Sequence, residues 1–235
     1  VNAGTKDSPL VLIAVLGLVC IVAGLALGLV YIGTEDRIAV EVQKAKGRAL
    51  HAVHPDADRF EQRTVERDGG QLVYFEAYDK EGKLIGYACE GRANGYSSTI
   101  VLTVGLDEAM TTITGIDITA QQETPGLGAN CVKGGGGQYI WEVFSSRKGA
   151  GGSGRGWQDQ FSRRGLDLFT QAGKTYKGVK ALTGATITTN AVVRAMWNAV
   201  DALYRARGLV LADAITAAAG KASAEHSEHP EDEHP

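Results

Sequence analysis

Two short segments carry residue types and spacings suited to holding a phosphorylated ligand. Leu182-Thr183-Gly184-Ala185-Thr186-Ile187-Thr188-Thr189-Asn190 gathers four threonine hydroxyls directly ahead of a helix-periodic stretch. A helix N-terminus offers backbone N–H groups without intrahelical acceptors and a partial positive charge, so an anion is favoured there. The dipole alone contributes about 0.3–1 kcal/mol to a phosphate, before its hydrogen bonds. Glu123-Thr124-Pro125-Gly126-Leu127-Gly128 follows a predicted strand. Proline fixes one dihedral and glycine permits positive φ, which makes a shaped loop whose backbone can approach a flat ligand. Taken singly, the two segments read first as a threonine helix cap and an ordinary turn.

Other chemistries find less support. No acid/base pair, Ser/His/Asp set or Cys/His nucleophile stands out, so no catalytic residue is assigned. His51 and His54 fall in a stalk ahead of the domain, where they are expected to face solvent. Cys20, Cys89 and Cys131 include no CxxC pair or Cys/His cluster, so no zinc or iron–sulfur site is expected. His226, His229 and His234 sit in an acidic tail and read as solvated. The glycine-rich stretch 133–156 contains neither GxxxxGK[ST] nor a GxGxxG opening a helix, and is expected to form mobile surface loops. A net charge of -3 argues against a nucleic-acid partner held through phosphates.

The elements that must position the two segments follow from pattern. With 44% hydrophobic and 22% charged residues among 235, the chain can bury a core. After a short tail, 1–8, residues 9–33 contain no charge. They make a helix of about 37 Å, enough for one membrane span. The run is too long for a typical signal-peptide core, and no Ala-x-Ala site follows closely. Lys6 precedes the span while Arg37, Lys44, Lys46 and Arg48 follow it, a count that by itself turns the C-terminal part inward. Glu35 and Asp36 oppose it weakly. Residues 34–55 continue as a stalk or first helix, with apolar Ile38, Val42, Ala45, Ala49, Ala52 and Val53, and His54-Pro55 ends it. Within 56–210, four strands with short connections predict an antiparallel sheet. They run around 72–75, 83–88, 98–104 and 113–120, with turns at Asp79–Gly82 and Asp107. Asn190 to Arg207 predicts a helix with Val193, Met196, Val200 and Leu203 as its buried stripe. Thr188, Thr189 or Asn190 would cap it and Gly208 end it. Residues 211–235 read as a tail, disordered at least from 221.

Thr183-Gly184-Ala185-Thr186, the preceding Gly173–Ala181 run, the 123–128 loop and Trp157-Gln158-Asp159-Gln160-Phe161 occur in this order behind a single N-terminal span. In this the sequence resembles the FMN-binding G-subunit family of the Rnf complex, an ion-translocating electron-transport assembly. The resemblance implies an α+β flavoprotein with one N-terminal transmembrane helix, an antiparallel sheet and packed helices. It implies covalent FMN, joined by a separate flavin transferase through a phosphoester to Thr186. Around the phosphate it places Thr183, Gly184, Ala185, Thr188 and Thr189. Near the isoalloxazine ring it places Glu123, Thr124, Gly126 and Leu127, with Trp141 or Trp157 stacking. Lys180 stands where the modification pattern often has an acidic residue, and is assigned to the phosphate. The implied role is electron relay among the membrane and peripheral subunits of a ferredoxin:NAD⁺ oxidoreductase, without turnover of its own. The implied location is the cytoplasmic (inner) membrane of a bacterium or archaeon, single-pass, with the flavin domain outside, where Cys89 and Cys131 could pair. The alternatives are the C subunit of the sodium-pumping NADH:quinone oxidoreductase, a membrane-anchored FMN-binding sensory module, or a structural protein with no flavin. The shorter chain favours the Rnf reading over the quinone one.

Overall fold

The structure, a computed structural model, describes residues 9–67, 70–132, 156–170 and 175–217. The expectations for the glycine-rich stretch up to 155, for Trp141, for the N-terminal tail and for the acidic C-terminal tail lie outside the described residues. The chain divides into two units, Val1–Lys46 and Gly47–Pro235.

The first unit is the greater part of α1 (Pro9–Val53). Its apolar side chains are bare to the surroundings, Leu10 at 74% and Ile32 at 71% exposure. Such a surface is unfavourable in water by about 25 cal/mol per Å² and comfortable in hydrocarbon. The helix is long and apolar enough to cross a membrane. Thr34, near the end of the apolar run, returns its hydroxyl to the Val30 carbonyl at 2.9 Å and so keeps its polarity inside the helix.

The second unit is built on an antiparallel sheet in sequence order. It comprises β1 (Arg59–Arg67), β2 (Gly70–Tyr78), β3 (Leu84–Asn94), β4 (Thr99–Asp107), β5 (Thr112–Ala120) and the short β6 (Arg164–Gly165). Period-two burial runs through β4, whose Ile100, Leu102, Val104 and Leu106 are all fully buried. Against that face lies α2 (Thr186–Ala206), presenting Val192, Met196, Val200 and Leu203. Each such side chain contributes about 1.5–3 kcal/mol on burial. Helix and sheet approach closely at Gly91, where a Cβ would overlap the Ala195 carbonyl oxygen. The Cys89 thiol reaches the Ala199 carbonyl at 3.2 Å, and Tyr204 Oη donates to the Met110 carbonyl at 2.5 Å. On the opposite face, Leu50 and Val53 from the last turns of α1 pack with Ala88, Phe60 and Phe75. Aspartates close the turns. Asp79 accepts from the amides of Glu81 and Lys83, and Asp107 from those of Thr111 and Thr112. A further pair, β7 (Phe169–Thr170) and β8 (Thr175–Tyr176), stands apart from the main sheet.

The fold is α+β, and α1 ends at Val53, before His54-Pro55. Besides the short β6, β7 and β8, which the sequence reading did not name, five features differ from it. The sheet has an additional first strand, β1, whose sequence RFEQRTVER is nearly all polar. It is an edge strand with little to bury, so periodicity does not reveal it. The helix α2 begins at Thr186 rather than Asn190; Ala185 is the N-cap, and no side chain caps it. Its end is as read, with Gly208 at φ 77. His54 is buried, not solvent-facing, with Nε2 2.9 Å from the Tyr87 carbonyl oxygen. Cys89 and Cys131 are both free and buried rather than paired. Burial pushes the Cys89 thiol up to about 12 and the Cys131 thiol up to about 11, which keeps both protonated and unreactive. Finally, residues 211–217 are helical and Leu211 is buried, so the first turns of the expected tail belong to the core.

Candidate functional site

The loop after β5 and the first turn of α2 face each other across a cavity of about 600 Å³. Glu123, Thr124, Leu127 and Gly128 line one side; Gly184, Ala185, Thr186, Ile187 and Thr188 line the other, and Tyr96 from the β3–β4 turn borders it as well. The two segments singled out by chemistry, 123–128 and 182–190, therefore line one cavity.

Local geometry explains each wall. Gly184 has φ 72, a left-handed conformation that a side chain resists, and it turns the chain into α2. The Ala185 amide donates to the Leu182 carbonyl at 3.0 Å, which closes that turn. The first intrahelical bond then runs from the Thr189 amide to the Ala185 carbonyl. Helix geometry leaves the N–H groups of Thr186, Ile187 and Thr188 without intrahelical acceptors. Thr186 is exposed at this position. On the facing wall, the Leu127 and Ala129 amides both donate to the Thr124 carbonyl at 3.2 Å. Asn130 Nδ2 donates to the Gly126 carbonyl at 2.9 Å.

Glu123 ties the walls together. Its side chain is 5% exposed in a residue type that is seldom buried without partners. The carboxylate accepts five hydrogen bonds: from Thr188 Oγ1 at 2.6 Å, from the amides of Tyr96, Ser97 and Ser98, and from Ser98 Oγ. Burial alone would raise its carboxyl, but the hydrogen bonds from Thr188 and the three amides outweigh that and leave it below the ordinary value. Two glycines make room for it. A Cβ on Gly95 would stand 2.6 Å from Glu123 Oε1, and one on Gly128 would stand 2.5 Å from Thr188 Oγ1.

Of the residues expected at the site, Glu123, Thr124, Leu127, Gly184, Ala185, Thr186 and Thr188 line the cavity. Gly126, Thr183, Thr189 and Lys180 do not. The Thr189 hydroxyl donates to the Ala185 carbonyl and accepts from the Leu182 amide, so it braces the turn from behind. Lys180 belongs to a separate seam. Its amide donates to Gln160 Oε1 at 2.7 Å and its carbonyl accepts from Trp157 Nε1 at 2.7 Å. Trp157 packs edge-on to Phe161 and is also absent from the cavity lining. Tyr96 is the residue that sequence reasoning missed. The signal was an aromatic inside the turn-forming run Gly95-Tyr96-Ser97-Ser98, between two strands.

What the site can do follows from these parts. A cavity of this size falls within the usual range for small-molecule pockets, roughly 300–1,000 Å³. One end has free amides, a hydroxyl and a helix dipole, which suit a phosphate. The rest of the rim carries Leu127, Ile187 and Tyr96, which remain 44%, 55% and 71% exposed. Apolar surface left bare beside an anion subsite suits a ligand that is phosphorylated at one end and flat and aromatic at the other.

Comparison with known proteins agrees with that description. A family model described as an FMN-binding domain matches residues 95–201. The chain is 30% identical over 187 residues to the G subunit of the ion-translocating oxidoreductase complex of Methanosarcina acetivorans, covering 77% of this chain and 86% of that protein. It is 28% identical to the G subunit of the proton-translocating ferredoxin:NAD(+) oxidoreductase complex of Clostridium ljungdahlii, covering 79% and 86% respectively. Among solved structures, NqrC of Shewanella oneidensis is similar at 22% identity and a TM-score of 0.37, over 61% of this chain and 65% of that one.

Proposed function

The chain belongs to the G-subunit family of ion-translocating oxidoreductase complexes, and from this premise we propose that it holds FMN in the cavity beside Thr186, joined to that residue through a phosphoester. The observation that carries the proposal is an exposed threonine hydroxyl at the first position of α2, on the wall of a cavity that also offers apolar side chains. Bound FMN would supply electron-transfer chemistry that no side chain here provides. The chain's own residues do the positioning. The first turn of α2 favours the negative charge that a phosphodiester keeps. Leu127 and Ile187 offer apolar contact, and Glu123 keeps the two walls in register. The role we assign is electron relay within an ion-translocating ferredoxin:NAD⁺ oxidoreductase, in company with its other subunits and without independent substrate turnover. The apolar part of α1 anchors the chain in the membrane, and we place the flavin-carrying unit on the outer side.

Intact-mass measurement on protein taken from its native membrane tests the tether. The expected result is one added FMN less a water, mapped to the peptide containing Thr186 and lost in Thr186→Ala. A native chain at its unmodified mass, from cells with an active flavin transferase, overturns it.

A further inference from the structure

We propose that Tyr96 forms the aromatic wall of the flavin site and stacks on the isoalloxazine ring, an inference that rests on the reading of the cavity as an FMN site. Among the described residues, Tyr96 is the one aromatic side chain lining the cavity. It stands on a turn that is unusually well fixed. The Gly95 amide donates to the Ser98 carbonyl at 2.8 Å, and the amides of Tyr96, Ser97 and Ser98 all point at the buried Glu123 carboxylate. Position 95 tolerates no Cβ because Glu123 fills that space. Yet the side chain this turn presents is 71% exposed. A held backbone with an uncovered ring at the edge of a cavity is an arrangement that a flat ligand completes. Covering the ring buries apolar area, and offset stacking of two aromatic systems adds to that gain. The FMN-binding match begins at residue 95, so it includes this turn, although the turn lies far in sequence from Thr186. Leu127 and Ile187 supply aliphatic contacts only, which leaves Tyr96 to provide the π-surface among the described residues of the site.

Stacking on tyrosine has a signature that a structural role lacks. A phenol in van der Waals contact passes an electron to a photoexcited flavin and receives it back, so emission is lost with no net chemistry. Tryptophan does the same; phenylalanine and leucine do not. The experiment measures emission yield and lifetime per bound flavin in the full-length, detergent-solubilised wild type and in Tyr96→Phe, Tyr96→Leu and Tyr96→Trp. Flavin content is normalised by absorbance, and tethering is read separately by mass. The wild type and Tyr96→Trp should be dark, while Tyr96→Phe and Tyr96→Leu should brighten several-fold with a lengthened lifetime. Yields that do not change across the series overturn the assignment of Tyr96 alone. FMN that is bound but untethered overturns the Thr186 linkage and still permits this reading. A wild type that takes up no FMN in either form overturns both.

Discussion

A buried carboxylate with five donors is the residue on which the site's geometry turns. Glu123→Ala leaves the Thr188 hydroxyl, fully enclosed at 1% exposure, without its acceptor and releases the amides of the 96–98 turn. Losing the partners of buried polar groups makes this costly, on the order of 3 kcal/mol. Glu123→Gln keeps one acceptor oxygen and sets an NH₂ against donors, so it too destabilises, though less. Both variants should lower the thermal midpoint and the FMN content together. The sign of the pH effect is fixed. The folded carboxyl lies below its ordinary value of 4.5, so its contribution is present above that value and lost as pH falls through the depressed folded one. Thermal midpoints of Glu123→Gln, measured on acidification, should lack that component of the wild-type decline. At this scale the sequence was half legible. Residue types pointed to the 182–190 segment and the 123–128 loop, and only the family resemblance singled out Thr186 within the first. The identity of the Glu123 partners was hidden, because the hydrogen bonds join residues 25 to 65 positions apart and no local pattern records them. The carboxylate reads as a ligand contact until its lone pairs are seen to be spent on the protein.

Among the elements, those with periodic burial were the ones that could be read. β3, β4 and β5 alternate or carry continuous apolar runs, and α2 has a stripe at helical spacing, so pattern alone locates them. β1 buries little beyond Phe60 and Val65 and is held mainly by its pairing with β2; the Asp68-Gly69 dipeptide between the two was its best sequence signal. The start of α2 was set late because threonines suggest caps, whereas here Thr188 and Thr189 lie inside the helix with hydroxyls committed elsewhere. The end of α1 hid a polar group in the same way. His54 falls where the helix stops, but packing against the sheet encloses it at 4% exposure. Burial lowers its pKa from 6.5, against smaller upward pulls from the Tyr87 carbonyl, Asp107 and Asp56. The folded protein therefore prefers neutral imidazole. This contribution is fully present above pH 6.5 and declines as pH falls below it towards the lowered folded value. His54→Asn should flatten the dependence of the thermal midpoint across that window, at the cost of a lower midpoint above it. An unchanged slope would place the titration elsewhere.

At the scale of the whole chain, the open contest is between local charge and assembly. Four basic residues, Arg37, Lys44, Lys46 and Arg48, follow the span, against Lys6 within residues 1–8. An isolated segment with that distribution would keep its C-terminal part in the cytoplasm. Neighbouring acidic residues blunt the bias. Glu35 and Asp36 come first after the apolar run, and Lys44 is paired with Glu41 at 3.2 Å. Acidic residues count for little in orientation, so these weaken the bias only slightly and do not reverse it; an excess of a few basic residues is small enough for neighbouring membrane proteins of the complex to decide. The interior chemistry is compatible with an oxidising compartment. Cys89 and Cys131 are buried with raised pKa values, so neither offers a thiolate to an external oxidant. We therefore expect protease added to right-side-out vesicles to degrade the unit that follows the span and to leave it intact in inverted vesicles, with the flavin fluorescence of the gel band following the same division. Protection in right-side-out vesicles and cleavage only after inversion would show that the basic count governs this chain, and would move the proposed electron relay to the cytoplasmic face.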